Sequence, residues 1–401
     1  MGAYDKLSGE FNPAAPTRVI FGKGKTASLG SEVAGLGGKR TLVLSGRTVA
    51  EQTDAVRRVQ EALGPSVVGV YSGLTQRAPL ATAVEAANLA VSLGADALAG
   101  VGGSTISDAA RMIAALMAEG IDSVEELRAR GRREDGMLRP DLDGKALPLQ
   151  VSIPTTLSAG EFNMGGGNVL DDGEGHKIRV SHPRLYADLI VLDPDVTAGT
   201  PDWLWLSTGV KALDHCIERL YCRGNQPAID APVLAAAEML FDGLPRSRQA
   251  DGDPEARLQC LVAAWMSMMG APNFAVGLSH AIGHIVGVKY SVGHGYTSCV
   301  TQPYVMEYNR PASAAKQALL AKAAGRQTTG MSDEAAAELA ARAVDDFILG
   351  LGMPHRLREL EIPEEDLPEI ADLVLTDRGC RTNAIAITER EQVMKVLRRA
   401  F

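Results

Sequence analysis

Short apolar runs alternate with stretches of helical period through the first half of the chain. The runs, each four or five residues long and rich in β-branched or small apolar residues, are Arg18–Phe21, Thr41–Leu44, Val67–Tyr71, Ala97–Val101, Gln150–Ile153 and Leu189–Leu192. Between them, Val49–Leu63 and Leu80–Leu93 place apolar residues with the spacing of an amphipathic helix. This alternation predicts βαβ units around a parallel sheet.

The strand pattern fades after about residue 197, and helical period dominates the second half. The predicted helices are Trp203–Tyr221, Ala228–Leu244, Pro254–Met269, Ala314–Ala324 and Asp333–Leu351. We place the boundary between an α/β domain, 1–196, and an all-α domain, 197–401, near Asp195–Pro201, where proline and glycine interrupt both patterns. The polar stretch Glu134–Gly144 is predicted to be a surface loop.

Length and charge narrow the class of protein. A chain of 401 residues is too long for one hydrophobic core, which supports two domains. The net charge of -9 and the lack of a large basic cluster argue against nucleic acid as a partner. No apolar stretch approaches 18 residues, and the first residues lack the layout of a signal peptide, so we expect no membrane contact and a cytoplasmic location. Five cysteines without a CxxC pair indicate reduced thiols.

The predicted strand Ala97–Val101 runs directly into a turn of small residues. Gly102, Gly103 and Ser104 follow the strand, and Asp108 falls in the early turns of the next predicted helix. A strand, a glycine turn and a helix start let backbone amides and the helix dipole hold a pyrophosphate. The turn lacks the full GxGxxG spacing, and an ordinary tight turn between strand and helix is the alternative.

A second polar stretch follows the predicted strand Gln150–Ile153. It places the hydroxyls of Thr155, Thr156 and Ser158 just after the strand. These groups are candidates for contact with a nucleotide or substrate. The alternative is a turn that caps the next helix.

Four histidines fall in two short segments of the second half. His215 lies in the predicted helix Trp203–Tyr221, and Ser279–Gly295 contains His280, His284 and His294. His280 and His284 are four residues apart and would share one face of a helix. Imidazoles in this pattern are suited to binding a metal or to proton transfer. Satisfied core histidines are the alternative.

Taken together, these motifs resemble the iron-containing alcohol dehydrogenase superfamily, and within it the maleylacetate reductase-like branch. The resemblance spans nearly the whole chain. Its blocks are RVIFGKG at Arg18–Gly24, GGSTISDAAR at Gly102–Arg111, PTT at Pro154–Thr156, LDP at Leu192–Pro194, STGVKALDHCIE at Ser207–Glu218, SHAIGH at Ser279–His284, HG at His294–Gly295 and QPYVMEYN at Gln302–Asn309.

The resemblance implies the fold shared by dehydroquinate synthase and iron-containing alcohol dehydrogenases: an α/β domain with a parallel sheet that binds NAD(P), and an all-α catalytic domain across a cleft. It also implies a homodimer and a divalent metal, Fe or Zn, at the substrate oxygen. Gly102, Gly103, Ser104 and Asp108 match the pyrophosphate loop, and Thr155, Thr156 and Ser158 lie beside the cofactor. His215, His280 and His294 match three metal ligands, and His284 matches a histidine near the substrate.

Two positions depart from the family pattern. Metal-dependent members carry an aspartate four residues before the first histidine, where this chain has Lys211. A charged ammonium has no lone pair and repels a cation, so we expect catalysis without metal. Asp214, three residues further on, could pair with Lys211 or restore a ligand. At Ser45 and Arg47 the ribose-binding aspartate of NAD-preferring members is missing, which favours acceptance of NADPH.

These observations predict an NAD(P)H-dependent reductase of a small carbonyl compound or keto-acid. Lys211, His215, His280, His284 and His294 are the predicted catalytic residues, with His280 or His284 as the proton donor. One alternative is an Fe- or Zn-dependent alcohol dehydrogenase that uses His215, His280 and His294, with water or Asp214 in the fourth position. Another is a sugar-phosphate cyclase resembling dehydroquinate synthase.

Overall fold

A computed structural model of the protein describes residues 17–75, 78–131, 137–163, 166–171, 176–249, 252–270 and 276–401. The described residues up to Thr200 form one compact unit, and Pro201–Phe401 form a second. The division therefore falls inside the stretch Asp195–Pro201 that the sequence marks by its proline and glycine residues.

The first unit contains strands and helices in alternation. Its strands are β1 (Arg18–Phe21), β2 (Thr41–Ser45), β3 (Val67–Tyr71), β4 (Ala97–Gly102), β5 (Met137–Leu138), β6 (Leu149–Pro154), β7 (Gly166–Asp171), β8 (His176–Ser181) and β9 (Leu189–Leu192). Its helices are α1 (Leu29–Gly35), α2 (Arg47–Gln52), α3 (Ala55–Leu63), α4 (Leu80–Ser92), α5 (Ser104–Glu119) and α6 (Val124–Gly131).

Six of these strands form one parallel sheet in the order β1-β9-β6-β4-β2-β3. β2 and β4 are buried along their whole length. Their side chains alternate between two apolar clusters: Leu42, Leu44 and Leu98 face one, whereas Val43 and Ala99 face the other. The sheet is therefore covered on both faces, as a parallel sheet in an α/β fold requires.

The strand order reverses direction between β2 and β4. From β2 the chain moves to β3 on one side and then returns to β4 on the other. In open α/β sheets, ligands bind beyond the carboxyl ends of the strands at such a switch point. Ser45 and Val101, which are paired in register, lie at this place.

The sequence prediction was wrong in three local details of this unit. The single helix predicted over Val49–Leu63 is two helices, because Thr53 is extended between them. β7 and β8 form an antiparallel pair in a second, three-stranded sheet that the pattern did not indicate. Within Glu134–Gly144, Met137–Leu138 form β5 rather than loop, and residues 134–136 lie outside the described residues.

The second unit is helical, and its described residues contain no strand. Its helices are α7 (Asp202–Tyr221), α8 (Pro227–Arg246), α9 (Pro254–Ser267), α10 (Leu278–Lys289), α11 (His294–Ala323), α12 (Asp333–Gly350), α13 (Leu367–Val374), α14 (Gly379–Thr382) and α15 (Arg390–Ala400). The predicted helix Ala314–Ala324 is the end of α11, which begins twenty residues earlier, at His294.

Close packing between α7 and its neighbours depends on small residues. A Cβ on Gly209 of α7 would lie 2.3 Å from Leu244 of α8. A Cβ on Gly295, in the first turn of α11, would lie 2.5 Å from the carbonyl carbon and oxygen of Ser207. The two helices that carry His215 and His294 therefore meet almost backbone to backbone.

None of the helices in the described part of the chain is both long enough and apolar enough to cross a membrane.

Candidate active site

The turn between β4 and α5 has the geometry of a phosphate cradle. Gly102 has a φ of 154°, and a Cβ there would lie 2.5 Å from Cγ1 of Ile106, so the position requires glycine. Gly103 precedes the helix, whose N-terminus has no side-chain cap. Because the first amides of an α-helix lack intrahelical acceptors, the start of this 16-residue helix offers donors to an anion.

The loop after β6 packs against this turn. A Cβ on Gly103 would lie 3.0 Å from Oγ1 of Thr156, and one on Gly160 would lie 2.6 Å from Cβ of Ser104. Thr155 and Thr156 are buried, and the hydroxyls of Thr156 and Ser158 lie 3.1 Å apart. The structure thus brings both predicted cofactor segments together at the carboxyl edge of β4 and β6, and these residues fit a dinucleotide.

Two predicted cofactor residues at the end of β2 differ in environment. Ser45 is fully buried, and its hydroxyl donates to the carbonyl of Val101 at 2.9 Å. This side chain therefore forms a hydrogen bond between two neighbouring strands of the sheet. Arg47 begins α2, with its side chain 77% exposed and its Nε 3.9 Å from Glu51. Of the pair, Arg47 alone presents its side chain to solvent, where a ligand has access.

Asp108 lies in the second turn of α5 and contacts protein groups. Its carboxylate accepts from Nδ2 of Asn168 at 2.5 Å and lies 3.5 Å from a guanidinium nitrogen of Arg111. The fully buried Arg111 donates to the carbonyls of Gly160 and Glu161. Asp108 therefore helps to secure the loop that packs on the phosphate turn.

In the second unit, one face of α7 carries a buried charged pair. The Lys211 ammonium lies 2.9 Å from Oδ2 of Asp214, and the same oxygen accepts from the Ser298 hydroxyl at 2.6 Å. Burial raises the pKa of Asp214, but Lys211, His280 and Ser298 outweigh it and lower the pKa below its ordinary value. Asp214 is therefore a carboxylate that fixes the position of the lysine ammonium.

His280 of α10 is held by a second carboxylate from α7. Glu218, fully buried, accepts from Nδ1 of His280 at 2.6 Å and from the amides of Gly277 and Ser279 at 2.6 and 2.8 Å. Because burial and Lys211 lower the pKa of His280, its ring is neutral near pH 7. A carboxylate only accepts, so the proton is on Nδ1, and the buried Nε2, which has no hydrogen-bond partner among the described residues, is a lone pair.

The four histidine rings form a row across α7, α10 and the start of α11. Ring centroids are 5.2 Å apart for His215 and His280, 6.3 Å for His280 and His284, and 6.0 Å for His284 and His294. His215 and His280 are buried, His284 is half-buried and His294 is exposed. Burial, followed by the cation of Arg219, lowers the pKa of His215 well below its ordinary value.

The arrangement of donor atoms bears on the metal implied by the resemblance. Three side chains among the described residues bring possible ligand atoms within 4.8 Å of one another. They are Asp214, Glu218 and His280, and not the three histidines. Both carboxylates of this group already accept N–H groups: Glu218 accepts from His280, and Asp214 accepts from the Lys211 ammonium. The residues as placed do not fit a dication held by three histidines, because the histidine nitrogens do not form such a group among the described residues and the carboxylate beside His280 is already paired with the Lys211 ammonium.

Sequence reasoning did not assign a role to three residues at this site. Glu218 lies seven residues beyond Lys211 and therefore shares its face of α7, a spacing that could have identified it. Ser298 and Asp377 have no local signal. Asp377 accepts from Nδ1 of His284 at 2.8 Å across 93 positions of sequence.

The first unit thus carries a dinucleotide cradle, and the second carries a histidine row with a buried lysine. This combination defines a two-unit oxidoreductase that acts on CH–OH or carbonyl groups. The chain belongs to the iron-containing alcohol dehydrogenase family: the model "Iron-containing alcohol dehydrogenase" matches residues 16–194, and "Fe-containing alcohol dehydrogenase family, C-terminal" matches 205–401.

Individual relatives agree with this assignment. The chain is 31% identical to Dehydrogenase ALT3 of Alternaria alternata, over 91% of this chain and 99% of that protein. It is 27% identical to Maleylacetate reductase of Pseudomonas sp. (strain P51), over 97% of each. The structure of 1,3-propanediol oxidoreductase matches with a TM-score of 0.87 over 98% of this chain and 100% of that one, at 23% identity, which supports the fold. The predicted family, branch and fold class are confirmed.

Proposed function

We propose that this chain is an NAD(P)H-dependent reductase of a small keto-acid that works without a metal ion. The observation that carries the proposal is the Lys211 ammonium, held 2.9 Å from Asp214 beside the row of histidines. The maleylacetate reductases among its relatives support a substrate of this class. The phosphate cradle at Gly102 and Gly103 supports the cofactor.

A buried ammonium is suited to binding a negative group of the substrate. The side chain of Lys211 is 12% exposed, so it is largely shielded from water yet open to a ligand. Its interaction with a carboxylate or with a developing alkoxide is stronger there than in water, because the local dielectric constant is low. Asp214 fixes the ammonium in position before the substrate arrives, which avoids reorganisation during the reaction.

Bound NAD(P)H supplies a hydride to the carbonyl carbon. The residues of the chain act on the oxygen, where negative charge develops as the carbon is reduced. Lys211 stabilises that charge, and His280 or His284 supplies the proton that completes the alcohol. His215 stays neutral and therefore does not compete with Lys211 for the anion.

Arg47 supports use of NADPH. It is exposed at the start of α2, directly after the strand at whose end the ribose of a dinucleotide binds in this kind of fold. A guanidinium pairs well with a 2′-phosphate. Replacement of Arg47 by alanine is expected to raise the KM for NADPH several-fold and to leave the KM for NADH unchanged.

The role of Lys211 is tested by Lys211→Met, which keeps the unbranched chain up to the ε position and removes the ammonium. We expect kcat/KM for a keto-acid to fall by about 100-fold or more, a loss typical of removing one preorganised charge, whereas a small uncharged aldehyde loses much less. Oxidation of NADPH and NADH is followed by absorbance. Lys322→Met, at an exposed position of α11, is the matched control.

Metal dependence is tested on the unchanged enzyme. Elemental analysis of protein purified without chelator is expected to show no stoichiometric Fe or Zn, and a chelator is expected to leave turnover intact. A chelator that abolishes turnover, with Lys211→Met as active as its control, would refute the proposal in favour of a metal-dependent alcohol dehydrogenase. Turnover without net consumption of NAD(P)H would instead indicate the cyclase class.

A further inference from the structure

The two histidines of α10 have different partners, and this difference assigns them different tasks. His280 is buried, and Glu218 fixes its proton on Nδ1, so its Nε2 is a lone pair that can accept a hydrogen bond but cannot donate one. His284 lies one turn further along the same helix, and its side chain is 44% exposed. Exchange of a proton with solvent is therefore open to His284 and closed to His280.

The partner of His284 comes from the far end of the chain. Oδ2 of Asp377 accepts from Nδ1 of His284 at 2.8 Å. Burial raises the pKa of Asp377, but the hydrogen bond and charge of His284 lower it below its ordinary value. Asp377 is therefore ionised near neutral pH and directs the other ring nitrogen, Nε2, away from itself.

Asp377 is itself fixed against α10. Its second oxygen, Oδ1, accepts from the amide of Gly379 at 2.7 Å. A Cβ on Gly379 would lie 2.6 Å from the carbonyl oxygen of Gly277 and 3.1 Å from Cβ of Ala281, so the backbone approaches α10 more closely than a side chain would permit.

Two more contacts hold the same segment. The Thr382 hydroxyl donates to the carbonyl of Val276 at 2.5 Å. The amide of Leu278, at the start of α10, donates to Oδ1 of Asn383 at 3.2 Å. The segment from Asp377 to Asn383 is therefore held by several contacts against the first turns of the helix that carries His284.

We infer that Asp377 is a positioning residue that orients His284 as the proton donor of the reaction. The inference rests on the proposed function and chooses between the two histidines that it leaves open. As the hydride and its electron pair form the new C–H bond, the carbonyl π bond breaks and the oxygen takes the Nε2 proton of a His284 ring that is protonated on both nitrogens and held by the Asp377 carboxylate. The ring then regains a proton from solvent, while its Nδ1–H bond to Asp377 persists.

The sharpest variant is Asp377→Asn. Its amide oxygen can still accept from Gly379, which turns the NH₂ group toward Nδ1 of His284. A neutral ring then has to present a lone pair at Nδ1 and carry its proton on Nε2. Because a neutral amide no longer stabilises the doubly protonated ring that donates from Nε2, we expect kcat to fall by about 10- to 100-fold, with KM changed by less than threefold. Asp372→Asn, at an exposed position of α13, is the matched control.

A spectroscopic measurement tests the hydrogen bond without reference to turnover. In protein containing ¹⁵N-labelled histidine, the signals of His284 are assigned by their loss in His284→Gln. At a pH where the ring is neutral, we expect the proton on Nδ1 in the unchanged protein and on Nε2 in Asp377→Asn. An identical tautomer in both proteins would overturn the inference.

A double-mutant cycle separates positioning from a general effect on folding. If Asp377 acts through His284, kcat of His284→Gln with Asp377→Asn equals that of His284→Gln alone. Additive losses in kcat, or a kcat of Asp377→Asn equal to that of Asp372→Asn, would overturn the inference.

If Asp377→Asn fails to fold, the kcat of His284→Gln is the deciding measurement. A kcat within twofold of the unchanged enzyme would overturn the inference, and a loss of tenfold or more supports it. Absence of any carbonyl reduction by the unchanged enzyme would refute the proposed function, and the tautomer measurement would still decide whether Asp377 orients His284.

Discussion

Replacing Glu218 by glutamine changes one atom of a fully buried side chain and removes its charge. Oε2 accepts from the Gly277 amide and from Nδ1 of His280, and Oε1 accepts from the Ser279 amide. A glutamine keeps one acceptor oxygen. Its NH₂ group must therefore face at least one N–H donor, and that hydrogen bond is lost.

The size of the effect follows from this count. A hydrogen bond to a charged group contributes roughly 1.5–3 kcal/mol to stability, and one to a neutral group roughly 0.5–1.5 kcal/mol. Losing one bond to the carboxylate and changing the other two from charged to neutral therefore costs about 4 kcal/mol. Glutamine avoids the cost of burying a carboxylate, which offsets part of the loss. We expect the free energy of unfolding to fall by about 2–3 kcal/mol, or roughly 5–10 °C in Tm for a unit of this size.

Tryptophan fluorescence during urea unfolding is a suitable assay, because all three tryptophans, Trp203, Trp205 and Trp265, lie in the helical unit. Glu238→Gln, at an exposed position of α8, is the control and should change the free energy of unfolding by less than about 0.5 kcal/mol. Equal unfolding midpoints for Glu218→Gln and this control would refute the assignment of Glu218 as the buried acceptor of three donors.

Three further predictions concern other buried positions. Burial raises the pKa of Glu161 from 4.5 to about 7, so the folded form binds the proton more tightly and stability falls as pH rises between these values. The free energy of unfolding of Glu161→Gln should therefore exceed that of the unchanged protein by on the order of 3 kcal/mol at pH 8. This difference should disappear near pH 4.5 in urea titrations followed by circular dichroism. Gly295→Ala places a Cβ 2.5 Å from the Ser207 backbone and should cost about 2–4 kcal/mol in the same titration, an effect absent if α7 and α11 can separate freely. Gly102→Ala places a Cβ 2.5 Å from Ile106 and should weaken NADPH binding by about tenfold or more in fluorescence titrations, whereas an unchanged Kd would contradict the phosphate cradle.

Much of the fold could be predicted from local pattern. All six predicted strands are present within one residue of their expected ends, because the strands of this parallel sheet are short apolar runs, each closed by a glycine or proline within two residues. The break at Thr53 was missed, since one extended residue barely disturbs a helical period. The pair β7 and β8 was missed although the buried Ile178 and Val180 of β8 alternate with the exposed Arg179 and Ser181, because glycines and polar residues outnumber apolar ones in both strands.

The candidate site was predictable only in part. The histidines and Lys211 could be named because they lie in short motifs with helical spacing. Their partners could not, since Asp377 reaches His284 across 93 positions and Ser298 reaches Asp214 across 84. The predicted homodimer and the cleft between the two domains stay predictions.

The amino-acid sequence by itself determined the two-part organisation, the family, the glycine turn and the lysine at the position of a ligand carboxylate. Each of these features depends on residues that lie close together along the chain. Only the tertiary structure decided which carboxylate holds which histidine. That choice fixes the tautomer of His280 through Glu218 and the orientation of His284 through Asp377. Hydrogen bonds of this kind depend on distances of about 3 Å between helices, and a linear spacing of residues does not contain them.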